Sequence, residues 1–98
     1  MNEVHVVAVL YAKEGHEEAL QADLTTVAQK SAQEDGNMRY ELFADANDSR
    51  RFVLVEHWRD AEAQQRHHNH SAHIAHFHAH GEKNVERREA VHLLRHIA

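Results

Sequence analysis

Cysteine and proline are absent from the 98-residue chain, glycine occurs 3 times, and Phe, Trp and Tyr together make up 6%. Without cysteine there is no disulfide scaffold, thiolate zinc site or cysteine nucleophile. Positive charge is also scarce, with 11 Lys+Arg against 16 Asp+Glu, for a net charge of −5 with histidines neutral. Duplex nucleic acid is held through a clustered Lys/Arg footprint, which this acidic balance argues against. Long apolar runs are missing too. The longest, residues 6–11, falls far short of the ~20 residues that span a bilayer. Met1-Asn2-Glu3 has no basic stretch leading into an apolar one, so no secretory signal is expected. These absences predict a soluble, cytoplasmic protein, a single domain over 1–98, with neither nucleic acid nor membrane as partner. A domain this small buries only about two-thirds of the surface its unfolded chain exposes. Self-association is therefore an expected source of stability.

Histidine is what the chain has in excess. It occurs 12 times, and seven of these fall in residues 67–80.

Residues 4–11 (VHVVAVLY) are β-branched and apolar on both alternating faces, which predicts a strand covered on both sides. From His16 the period changes. Leu20, Leu24, Val27, Ala28 and Ser31 recur at helical spacing, with Glu17 and Glu18 near the positive N-terminus of an amphipathic helix of about five turns. Gly36 is the expected left-handed cap. Residues 38–43 and 51–58 predict a hairpin around the turn at 45–49. Asp60 predicts an N-cap for a helix over 61–67, and Ser71 for another carrying Ile74 and Phe77. Residues 89–97 predict a fourth strand.

The order β-α-β-β-α-β is the split βαβ, or ferredoxin-like, arrangement: an α+β fold with helices on one face of a four-stranded antiparallel sheet. Helices can cover only one face. Yet Val4/Val6/Ala8/Leu10 oppose Val7/Val9/Tyr11, and Phe52/Leu54 oppose Val53/Val55. The simplest cover for the second apolar face is a second copy of the same sheet, so a two-fold homodimer is expected.

Three stretches, Ala12 to Leu20 (AKEGHEEAL), Glu34 to Leu42 (EDGNMRYEL) and Phe52 to Trp58 (FVLVEHW), followed by the segment from Asp60 through His68 to Phe77, resemble the antibiotic biosynthesis monooxygenase family. The resemblance covers nearly the whole chain. It implies a dimeric α+β barrel and cofactor-free oxygenation of quinols, anthrones or related phenolic compounds. Such chemistry needs a base to form an electron-rich anion, donors for reduced oxygen, and an apolar pocket that excludes water.

His68 matches the family's helical histidine and is the expected base, with His67 the alternative if the register is off by one. His73 stands at another recurrent family position. Trp58 ends the third strand, where it can stack on a flat substrate or fill the core. Glu56 shares its strand face and is a second acid/base candidate. Asn37, Arg39 and Tyr40, at the start of the second strand, are the candidate substrate-binding groups. Arg39 would hold a phenolate or superoxide, and Tyr40 would donate to an oxygen intermediate. The expected substrate is a small aromatic molecule with O2, and no cofactor or metal is assigned. Two alternatives share the fold. One is an isomerase or small-molecule binder. The other is a metal-binding module using His70, His73, His76 and His80, which a continuous helix would align in one stripe. The haem-degrading branch uses an asparagine on the first strand. The first strand here has none.

Overall fold

The computed structural model describes residues 2–98. Its elements run β1 (Val4–Ala12), α1 (Glu17–Ser31), β2 (Asn37–Asp45), β3 (Asp48–Trp58), α2 (Ala61–His70), α3 (Ala72–His80), a 3-10 turn (Glu82–Asn84) and β4 (Val85–Leu94). The four strands form one antiparallel sheet in the order β2-β3-β1-β4. This is the predicted ferredoxin-like α+β arrangement. No helix among the described residues is long and apolar enough to cross a membrane.

Period-two alternation sorts the sheet into two faces. Val6, Ala8, Leu10 and Ala12 of β1 and Phe52, Leu54, Glu56 and Trp58 of β3 are buried under the helices. α1 lays Leu20, Leu24, Val27, Ala28 and Ser31 onto this face, the stripe its 3.6-residue period predicts. Trp58, Phe52, Leu10, Leu20 and Leu24 are among the largest fully buried side chains. Truncating a core aromatic of this kind costs about 3–5 kcal/mol.

The other face carries no helix. Val7, Val9, Val53 and Val55 shield one another there only partly, while Phe43 and Leu94 are exposed.

The elements depart from expectation at their ends. α1 has 15 residues, about four turns rather than five. Gly36 does take a left-handed φ of +86°, but five residues past the end of α1, in the turn that starts β2. A side chain is doubly excluded at that point, because a Cβ would lie 2.5 Å from Cβ of Ala63 on α2. α2 runs three residues further than predicted, to His70, with Asp60 as its working N-cap: the carboxylate accepts from the Ala63 amide at 2.9 Å. Ser71 occupies the N-cap of α3 without a side-chain bond to it. β4 begins four residues earlier than predicted and ends at Leu94, so residues 95–97 lie beyond the strand. Its first half is charged, and alternation of apolar residues alone does not reveal such an edge.

Ser71 also breaks the helical segment, its ψ of 128° being extended. His70 therefore ends α2 while His73 opens α3. The single stripe of His70, His73, His76 and His80 does not exist. His73, His76 and His80 still lie along one side of α3, with the rings of His76 and His80 4.5 Å apart.

Candidate active site

A cavity of about 110 Å³ lies between the sheet and the helices, walled mainly by Val6, Ala8, Leu10, Leu24, Val27, Leu54, Ile74 and Phe77. Three buried polar side chains line this apolar space: Tyr40, Glu56 and His67. The hairpin register makes Tyr40 and Glu56 direct cross-strand partners, so both emerge on the helix-covered face. His67 comes down onto them from the buried side of α2, one helical turn after Ala63.

Each polar group is held by a neighbour. The Trp58 indole N–H donates to Oε1 of Glu56 at 2.9 Å. Tyr40 packs edge-on to Trp58, and the His67 ring lies 4.7 Å from that of Trp58. Nδ1 of His67 is 2.8 Å from Oε1 of Glu34, and Nε2 of His73 is 2.8 Å from the same oxygen. Oγ of Ser31 lies 2.9 Å from Nε2 of His73. With Glu34 ionised, Nδ1 of His67 carries the proton and Nε2 is left as the basic nitrogen.

Burial shapes the acid–base character of the cluster. It pushes the Glu56 carboxyl above the ordinary range, against the hydrogen bonds from Trp58 and Tyr40 that pull it down. It lowers His67, outweighing the hydrogen bond to Glu34. It also raises the Tyr40 phenol, and the charge of Glu56 adds to that rise. A neutral imidazole, a carboxyl that keeps its proton more readily, and a phenol that stays protonated thus face one apolar space.

The predicted residues divide into three groups. Tyr40 and Glu56 line the cavity directly, and so does His68, but His68 is exposed and stands at the rim with His78 and Arg88. His67, one residue earlier, is the buried histidine. Trp58 and His73 sit behind the lining, one holding Glu56 and the other sharing Glu34 with His67. Asn37 and Arg39 lie elsewhere. The Asn37 amide donates to the carbonyls of Arg39 and His57 where the β2–β3 register shifts. Arg39, adjacent to Tyr40, points to the opposite face by alternation and pairs with Glu41. Glu34 and Ser31 were not singled out from the sequence. Ser31 had a signal, as a polar residue on the buried stripe of α1; Glu34, in a turn, had none. Glu34, His67 and His73 could also hold a metal ion, since one ligand atom of each falls within 4.8 Å of the others. Here His67 hydrogen-bonds to Glu34, while His73 lies 2.8 Å from the same oxygen and bonds to Ser31.

An α+β sheet with an acid–base cluster enclosed beneath its helices defines a small-molecule-binding class of protein. Residues 3–80 match the family described as "Antibiotic biosynthesis monooxygenase", and the chain belongs to that family. YcnE of Bacillus subtilis (strain 168), itself named only as a candidate monooxygenase, is 33% identical over 76 residues, covering 78% of this chain and 79% of YcnE. The crystal structure of PA3566 from Pseudomonas aeruginosa superposes with a TM-score of 0.92 at 31% identity, over 100% of this chain and 97% of that one. Rv0793 from Mycobacterium tuberculosis gives 0.90 at 27% identity, over 99% and 97%.

Proposed function

We propose that this chain is a cytoplasmic, homodimeric monooxygenase that oxidises a quinol-like, anthrone-like or other polyphenolic small molecule with O2, without a cofactor. The observation that carries this reading is the convergence of Tyr40, Glu56 and His67 on one apolar cavity, with Nδ1 of His67 tied to Glu34. Nε2 of His67 takes a proton from the substrate, and the resulting anion passes one electron to O2. Radical and superoxide then combine in a C–O bond, giving a hydroperoxide. Loss of water leaves a carbonyl, so one oxygen atom enters product and the other leaves as water. The substrate supplies both electrons. The Tyr40 phenol, which burial keeps protonated, donates a hydrogen bond to the reduced oxygen, where a water-poor site makes such a donor most effective.

An engineered apolar cavity of about 150 Å³ accepts benzene. The present 110 Å³ therefore takes part of one ring, and a larger substrate displaces the rim side chains His68 and His78. Oxygen uptake, corrected for autoxidation, should be measured over a panel of hydroquinones and anthrones, with flavin and metal excluded. Products formed under labelled O2 should carry one labelled atom. No catalysed uptake across the panel would sink the activity while leaving the fold untouched.

A further inference from the structure

The sheet face opposite the cavity holds a second cluster of ligating groups. Where β1 begins and β3 ends, Glu3, His5 and His57 bring a carboxylate oxygen and two ring nitrogens within 4.8 Å of one another. Strand geometry gathers them. Glu3 and His5 are two residues apart and emerge on one side of the chain. His57 is the direct cross-strand partner of His5, and their rings stack at 4.1 Å with an interplanar angle of 18°. On the far side of β1, Leu94 pairs with His5. Two residues further on, His96 places its ring 6.0 Å from that of His5. Because β1 lies between β3 and β4, His57 flanks His5 on one side and His96, just past the end of β4, approaches it from the other.

An ordinary ion pair explains only part of this. Nε2 of His57 lies 2.7 Å from Oε1 of Glu3, which satisfies those two residues. It gives no reason for His5 to stack on His57 or for His96 to approach. Two imidazoles and a carboxylate with their ligating atoms this close offer a cation three donors, and His96 stands near enough to His5 to add a fourth.

We propose that Glu3, His5 and His57, with His96 as the fourth ligand, form a binding site for a divalent cation of the zinc class. Imidazole nitrogen with a single carboxylate is a donor set that zinc accepts in tetrahedral geometry. Bonds of about 2.0–2.1 Å place tetrahedral ligands about 3.3 Å apart. The sheet ladder fixes the backbones of β1 and β3, so side-chain rotation alone closes the present spacing. A bound ion ties residues 95–98 to the central strands. His57 and the cavity residue Glu56 point to opposite faces of β3, so zinc binding and oxygenase activity can be lost separately.

Untagged, metal-free protein should be titrated with zinc chloride against a chromogenic chelator at neutral pH. One zinc per chain is expected, lost in His5→Ala and His57→Ala and weakened in Glu3→Gln, an exposed position whose change leaves the fold intact. His76→Ala/His80→Ala and His73→Ala test the rival histidines, and both should keep the ion. Circular dichroism of the metal-free variants separates ligand loss from unfolding. X-ray absorption at the zinc edge of the unaltered protein should report imidazole nitrogens with carboxylate oxygen. Full retention of zinc by His5→Ala and His57→Ala would overturn the site. So would its loss on changing the α3 histidines, or half an ion per chain, which means a site shared between copies.

Discussion

Replacing His67 by alanine removes the ring whose Nδ1–H meets Glu34, while His68→Ala trims a solvated side chain at the rim. A positioned general base contributes about 10²- to 10⁴-fold to rate. The expected result is a loss in that range for His67→Ala and a change within a few-fold for His68→Ala, read as kcat/KM with any substrate the panel yields. His67→Ala also leaves a partly buried carboxylate short of a donor, costing about 1–3 kcal/mol in urea unfolding. The sign of the pH effect follows from the direction of the His67 shift. Its folded pKa lies below the unfolded value near 6.5, so the unfolded chain takes the proton first. Its contribution is present above that value and lost as pH falls from about 6.5 through the folded pKa. Glu56 acts oppositely, because a raised folded pKa lets the native state bind its proton first on acidification. On acidification from pH 7.5 to 5.5 the melting temperature of His67→Gln should therefore lose less than that of the unaltered protein, as scanning calorimetry can check. The sequence revealed the acid, the phenol and the histidine tract, because strand alternation and residue type are local properties. Choosing His67 over His68, and finding Glu34, required the rotation of α2 against a turn 33 residues away.

Short elements in this fold are positioned by single contacts at their ends, and these contacts differ in measurable ways. Gly36 and Gly15 both have positive φ. A methyl at Gly15 meets open space, whereas at Gly36 it meets Ala63 at 2.5 Å. Gly15→Ala should cost only the backbone strain, about 1 kcal/mol. Gly36→Ala should cost more, by about 1–3 kcal/mol of overpacking, and should also displace α2 and the His67 it carries. The helix starts make a second pair. Asp60→Ala removes an N-cap bond and should cost about 1 kcal/mol, while Ser71→Ala, which removes none, should fall within about 0.5 kcal/mol. Denaturant midpoints of the four variants test both comparisons. Element types and order were legible because periods of 2 and 3.6 survive in β1, α1 and β3. The kink at Ser71 was not, because serine serves equally as a cap or as an interior helix residue. Nor was the early start of β4, where Glu86 to Arg88 are strand residues that look like a solvated loop.

At the scale of the molecule, the half-shielded valines of the open face are the surface that the proposed second copy would cover. Sedimentation at micromolar concentration should give about twice the 11.3 kDa chain mass. Val55→Glu should split that species, since an unpaired carboxylate in an apolar contact costs several kcal/mol. A stable monomer of the unaltered protein would refute the pairing. The strand order bears on a different hazard. β4 is an edge of the sheet, and an edge offers a row of unpaired amides on which another chain can polymerise. Its first half carries Glu86, Arg87, Arg88 and Glu89, a run of charge that keeps strangers from docking in register. Its second half carries exposed Val91, Leu93 and Leu94 with no such guard. That stretch is the part of the β4 edge most open to another strand. Lysine at Leu93 would carry the guard into that stretch.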